Sequence, residues 1–365
     1  MPRPRTVYRG KRKYSWIITL AATLLVLVII LAVWLFYYLQ RFIVYDKDGL
    51  RLDLSAQREE ILHPDAEKDT SPPAVTFQPV DVEIVVEQRD YTEITTSAGS
   101  NVPPIRAVYV PASSLSEANL KYYTSNMGDF DALVLELKNA DGFLHWRSDA
   151  ALADSFAING TLELADIAAS LKEQDIYLAA SLSALADSSM ALRNAPIALR
   201  SASTGGVYTD RSGQAYLDPY SDGTRAYLRG LIAELKAMGF DEVFLNGFVC
   251  PDSEDVRFSL ARTQIPTPTE AVASLALWLR EQADAIGIRL SVIVESDSLR
   301  SETVLRGQDT GLLFRVFDRV ATETDFDHLS GDLAVMEAAL GSADEKRILT
   351  ITDNYAPERQ SYIVK

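Results

Sequence analysis

The stretch Ala132-Leu133-Val134-Leu135-Glu136-Leu137-Lys138-Asn139 is an apolar run that turns polar only at its end, and it reads as a buried strand. Comparable runs recur at Arg106–Val110, Ile176–Ser181, Glu242–Asn246, Arg289–Glu295, Arg319–Thr324 and Arg347–Thr352. Helical stretches separate most of them. Residues 162–173 place Leu162, Leu164, Ile167 and Leu171 at helical spacing, and 224–238 do the same with Tyr227, Leu228, Leu231, Leu235 and Met238. A third helix is predicted from Thr267-Pro268-Thr269-Glu270, a capping box with proline at the first helical position, to a stop at Gly287. Strand–helix alternation over about 250 residues fits a (β/α)8 TIM-type barrel. Seven strands are clear. The eighth falls to Tyr362-Ile363-Val364-Lys365, so the last strand is expected to be short or incomplete. A doubly wound sheet is the alternative, but no Gly-x-Gly-x-x-Gly follows any strand.

Upstream, Trp16–Leu39 carries no charge, and roughly 20 apolar residues suffice to cross a bilayer. The run is longer than the core of a signal peptide and ends in bulky residues, so a retained transmembrane helix is expected. Arg3, Arg5, Arg9, Lys11, Arg12 and Lys13 precede it, which orients the N-terminus to the cytoplasm and the rest outside, on a bacterial surface. Arg41–Tyr45 and Leu50–Leu54 flank a turn-rich Asp46-Lys47-Asp48-Gly49 and read as a hairpin. Proline-punctuated chain then leads to Pro104 and reads as a stalk. The expected organisation is a cytoplasmic tail over 1–15, a membrane helix over 16–39, hairpin and stalk over 40–104, and the barrel over 105–365.

The 365 residues carry a formal charge of −16, and because six cations precede the membrane run the remainder carries −22. A body this acidic repels phosphate backbones, which argues against nucleic-acid partners. The one cysteine, Cys250, and three scattered histidines offer no disulfide and no metal cluster, so neither a metal nor a cofactor is expected.

Residues 105–360 resemble a known family, the glycoside-hydrolase-like barrel domain of bacterial surface proteins, long catalogued as a domain of unknown function. The resemblance runs through Ile105-Arg106-Ala107-Val108-Tyr109-Val110 and the Ala132–Asn139 strand. Its most specific part is Gly205-Gly206-Val207-Tyr208-Thr209-Asp210-Arg211-Ser212-Gly213-Gln214-Ala215-Tyr216-Leu217-Asp218-Pro219-Tyr220, with Gly239-Phe240-Asp241-Glu242-Val243 beyond it. The resemblance implies a barrel and a carbohydrate-related role. It also exposes departures. The family's Asp-Tyr-Ile-Arg-Phe-Pro is here Asn246-Gly247-Phe248-Val249-Cys250-Pro251, its Asp-Val-Lys-Asp is Glu136-Leu137-Lys138-Asn139, and its Ala-Arg-Ile is Ala180-Ser181-Leu182.

Glycoside hydrolysis usually needs two carboxyl groups flanking the scissile bond, and in a barrel they belong at the C-terminal ends of strands. Asn246 cannot titrate. The candidate catalytic residues are therefore Glu136 and Glu295, followed by Asp187, with Asp252 and Asp297 behind them. Sugar rings pack on aromatic faces, so Trp146, Tyr208, Tyr216 and Phe248, with Lys138 and Asn246, are candidate substrate-binding residues. Asp218 reads as an N-cap, and Cys250 as a small buried hydrophobe. Two functions follow: a membrane-anchored barrel with degenerate catalysis that binds glycan or serves the cell envelope structurally, which the neutral positions favour, and an active hydrolase of a cell-wall or extracellular polysaccharide.

Overall fold

The structure is a computed structural model that describes residues 94–365 apart from 154–157, 261–265 and 302, together with 43–46, 49–52, Leu24 and Val28. The anticipated membrane segment Trp16–Leu39 thus lies, Leu24 and Val28 excepted, outside the described residues. Among the described residues no helix is long and apolar enough to cross a membrane. Ile43–Asp46 and Gly49–Leu52 pair antiparallel, with Asp46 opposite Gly49.

Eight parallel strands close into a barrel: β1 Arg106–Val110, β2 Ala132–Lys138, β3 Tyr177–Ser183, β4 Glu242–Asn246, β5 Arg289–Val294, β6 Val320–Glu323, β7 Ile348–Thr352 and β8 Tyr362–Val364. Neighbours in sequence are neighbours in the sheet. The three residues of β8 complete the ring, pairing Ile363 with Ile351 of β7 and with Ala107 of β1. The eighth strand is therefore short but sufficient. Successive strand residues point alternately in and out. Ala107, Ala132, Val134, Ala179, Phe244, Ala321, Leu349, Ile351 and Ile363 fill the interior as one cluster. Small alanines opposite a phenylalanine leave no pore, so the chemistry must sit at the rim.

The outward residues meet the helices α1 Glu117–Ser125, α2 Leu164–Glu173, α3 Asp222–Ala237, α4 Pro268–Ile286, α5 Thr310–Val316 and α6 Leu329–Leu340. Helix α3 buries Tyr227, Leu228, Leu231 and Leu235, the stripe its sequence spacing predicts. Helix α4 begins with the anticipated capping box, Thr267 with Glu270, and ends at Gly287, whose φ of 70° is left-handed and favours glycine. The connection from β7 to β8 contains no helix. Residues 94–104 cross the N-terminal face of the barrel. Thr96 Oγ1 donates to the Arg315 carbonyl (2.5 Å), and Gly99 N–H donates to Asp318 (3.0 Å). The chain thus reaches the barrel on the face opposite the strand C-termini.

Candidate functional site at the barrel mouth

Glu136 stands near the end of β2 on the inward face, two residues beyond the interior Val134 and directly beside Ser181 of β3. One of its oxygens accepts the Ala112 N–H at 2.8 Å, from the segment just after β1. The Tyr109 hydroxyl on β1 lies toward Glu136. Burial first, and then the Glu136 charge, push the Tyr109 phenol up, so it stays protonated at neutral pH. The negative charge of Glu323, at the end of β6, reaches the same phenol. Glu323 itself lies 2.5 Å from Lys365 Nζ. The Ser181 hydroxyl is fully buried and makes no hydrogen bond of normal geometry, although it lies toward Tyr109, whose ionised form it would favour.

A second constellation joins three loops of the rim. Glu295, which follows β5, is bound at 2.5 Å by Arg306. The same guanidinium donates to Tyr216 Oη (2.9 Å) and lies 5.9 Å from the Tyr216 ring centroid. Tyr216 in turn donates to Asp210 at 2.6 Å. The Arg306 backbone N–H donates to Asp252 (2.7 Å), and its carbonyl accepts from Cys250. Arg306 has φ 50°, a left-handed conformation that costs a non-glycine residue energy and persists only where surrounding contacts fix it.

The remaining expected site residues are distributed differently. Asp187 is fully buried, 2.8 Å from the equally buried Lys138, and it caps the short helix Ser188–Arg193. Trp146 is only 1% exposed, and its indole N–H donates to Glu234 of α3, so it offers no face to a sugar. Phe248 is buried edge-on against Phe317. Tyr216 is buried under Arg306, which leaves Tyr208, half-buried, as the aromatic of this set with exposed surface. Asn246 lies at the mouth end of β4, where its Oδ1 accepts the Gly247 N–H. Asp218 does not cap α3, whose N-cap is Ser221. Instead it accepts the N–H groups of Tyr220 and Ser259, tying the β3 and β4 loops together. Cys250 is buried, and that burial pushes its thiol up. Among the described residues no group of three or more His, Cys, Asp or Glu is placed to hold a metal ion.

A cavity of about 890 Å³ lies away from this rim, on the outer wall between α1 and α2. His145 lines it, and its Nε2 is buried without a partner. Desolvation lowers its pKa, with Glu136 opposing. A folded-state pKa below the unfolded one makes the neutral histidine stabilising above the unfolded value of about 6.5 and loses that stability as pH falls. Thermal midpoints should therefore drop between about pH 7 and about pH 5.5. His145→Gln should flatten the drop, and an unchanged pH dependence in that variant would locate the effect elsewhere.

Sequence reading missed Tyr109, Ser181, Glu323 and Arg306. The first three were within reach, because alternation from Ala107, Ala179 and Ala321 puts Tyr109, Ser181 and Glu323 on the inward face. Arg306 had no such signal.

A family profile described as a putative glycosyl hydrolase domain matches residues 107–322, more than half of the chain. No curated protein matches in sequence. Among solved structures, the glycoside hydrolase domain of PgaB (BpsB) from Bordetella bronchiseptica is similar in fold, with 12% identity, 72% of this chain and 94% of that one covered, and a TM-score of 0.54. The cycloalternan-degrading enzyme from Trueperella pyogenes, solved with isomaltose, shows 8% identity over 75% of this chain and 45% of that one, with a TM-score of 0.50. With its closed parallel barrel and the matched profile, the chain belongs to the family of the putative glycosyl hydrolase domain.

Proposed function

We propose that this protein is held in a bacterial membrane by Trp16–Leu39, with its barrel outside, and that the barrel mouth binds a glycan of the cell wall or the surroundings without hydrolysing it efficiently. One observation carries the second part. Of the three carboxylates that the sequence marks as catalytic, Glu136 alone faces the barrel interior, while Glu295 is paired with Arg306 and Asp187 with Lys138. Strand β4 ends in an amide, Asn246. A hydrolase needs an acid and a base or nucleophile about 5–10 Å apart, and losing one positioned proton donor or acceptor costs about 10²–10⁴-fold in rate. Binding has no such requirement, since hydroxyls, amides and single carboxylates suffice for orientation.

A second reading, hydrolysis by Glu136 with Glu323, is favoured by the convergence of both charges on Tyr109. The purified full chain, offered a panel of plant, bacterial and fungal polysaccharides, should retain at least one of them and release no reducing ends. Turnover that disappears in both Glu136→Gln and Glu323→Gln would establish the hydrolase instead. Protease added to intact cells should digest the barrel and spare the N-terminal tail, and full protection of the barrel would refute the topology.

A further inference from the structure

We propose that the floor of the mouth, built by Glu136, Ser181 and Tyr109, is a subsite for a protonated amine on the bound sugar, so that the ligand is a glycan containing free amino sugars. The proposal rests on the glycan reading above and assigns its chemical class. At the ends of β5 and β6, Glu295 and Glu323 are each matched by a cation, Arg306 and Lys365, as the buried Asp187 is by Lys138. Glu136 is half-buried and, among the described residues, has no cation within ion-pair distance. A partly desolvated carboxylate with neutral neighbours is costly unless something positive meets it.

Ser181 supplies an independent sign. Its hydroxyl is fully buried, it stands on the inward face beside Glu136, and its polar neighbour Tyr109 does not meet it at normal hydrogen-bond geometry. Buried hydroxyls in folded proteins are normally satisfied, and at the mouth a ligand can supply the missing bond. The stereochemistry is matched as well. The Tyr109 hydroxyl lies toward both Glu136 and Ser181, and it can donate to Glu136 while its oxygen accepts from a ligand. The Glu136 carboxylate, Ser181 Oγ and Tyr109 Oη thus converge as three acceptors with one negative charge, and an ammonium presents three donors with one positive charge. An N-acetyl group would bring one donor, a carbonyl and a methyl group into the same space, and would leave Glu136 unpaired.

Calorimetric titration of the full chain with tetramers of β-1,4-linked glucosamine, of N-acetylglucosamine and of glucose tests this. The glucosamine tetramer should bind about tenfold or more tightly than either of the others, since it alone presents a charged donor to Glu136. That preference should fade as pH rises and the sugar amine loses its proton. Glu136→Gln should abolish the preference. Ser181→Ala, a smaller change that keeps the carboxylate, should reduce it severalfold. Equal or tighter binding of the N-acetylated or glucose tetramer would overturn the subsite and leave the glycan reading intact. If none of these tetramers binds and none of the panel polysaccharides is retained, both fall. A preference for glucosamine that survives in both variants would reflect the acidic body as a whole, and would overturn the assignment to these residues.

Discussion

Arg319→Met is expected to destabilise the barrel by about 3–5 kcal/mol, a large share of the roughly 5–15 kcal/mol that holds a domain folded. Arg319 precedes β6 and is fully buried at the end of the barrel opposite the mouth. Its Nε lies 3.1 Å and 3.2 Å from the two oxygens of Glu242, the first residue of β4. Its other nitrogens donate to the carbonyls of Lys346 (2.6 Å) and Pro103 (2.7 Å), joining the start of β7 to the segment that enters β1. Glu242 also accepts from Tyr177 at 2.8 Å and from Ser291. One guanidinium thus satisfies acceptors from three separate parts of the chain. Methionine fills similar space but leaves Glu242 as an uncompensated buried anion and two carbonyls without donors, the arrangement with the highest cost. Urea denaturation of the full chain should show a lower midpoint with an unchanged slope. Adding Glu242→Gln should restore part of the loss, because it removes the stranded charge. A loss below about 1 kcal/mol would mean that water reaches this end of the barrel and solvates the pair.

That network also marks how far sequence reading could go. Alternation and length placed β2, β4 and α4 within a residue or two, because in each the apolar period and the end signal agree. Strand β8 was doubtful since three residues carry almost no period of their own, and its identity comes from pairing with Ile351 and Ala107, 12 and 256 residues away in sequence. Glu136 and Asn246 were legible as strand-end residues. Trp146 was misread as a platform because its partner, Glu234, lies 88 residues further along the chain and draws the indole inward. Asp218 looked like a cap from its place before a helix, yet its acceptor oxygens are used across loops, by Ser259. Arg306 became visible only with its left-handed backbone and its reach to Glu295, neither of which any spacing rule encodes. Local periodicity is written in neighbouring residues, whereas the partner of a polar side chain is chosen by the closed barrel.

Asp187→Ala should act on folding rather than on ligand, again by about 3–5 kcal/mol. The sequence offers Asp187 as a catalytic carboxylate after β3, but the side chain has no exposed surface. It pairs at 2.8 Å with Lys138, whose ammonium also donates to the Ser183 carbonyl and lies 5.7 Å from the Tyr227 ring. Asp187 further accepts the Met190 N–H at 2.8 Å as the cap of its helix. The chain closes tightly over it at Gly142, φ 91°, where a Cβ would come within 1.8 Å of Asp187 Oδ1. Alanine therefore strands a buried ammonium and removes a cap worth about 1 kcal/mol, in a pocket too tight to admit a compensating anion. Lys138→Met in the Asp187→Ala background should recover much of the loss, since replacing both partners of a buried pair by apolar groups is often close to neutral. Whatever fraction of Asp187→Ala remains folded should bind glycan with unchanged affinity. If instead stability holds within about 1 kcal/mol while glycan binding or turnover collapses, the carboxylate reaches the ligand, and the mouth extends inward past Lys138 to include it.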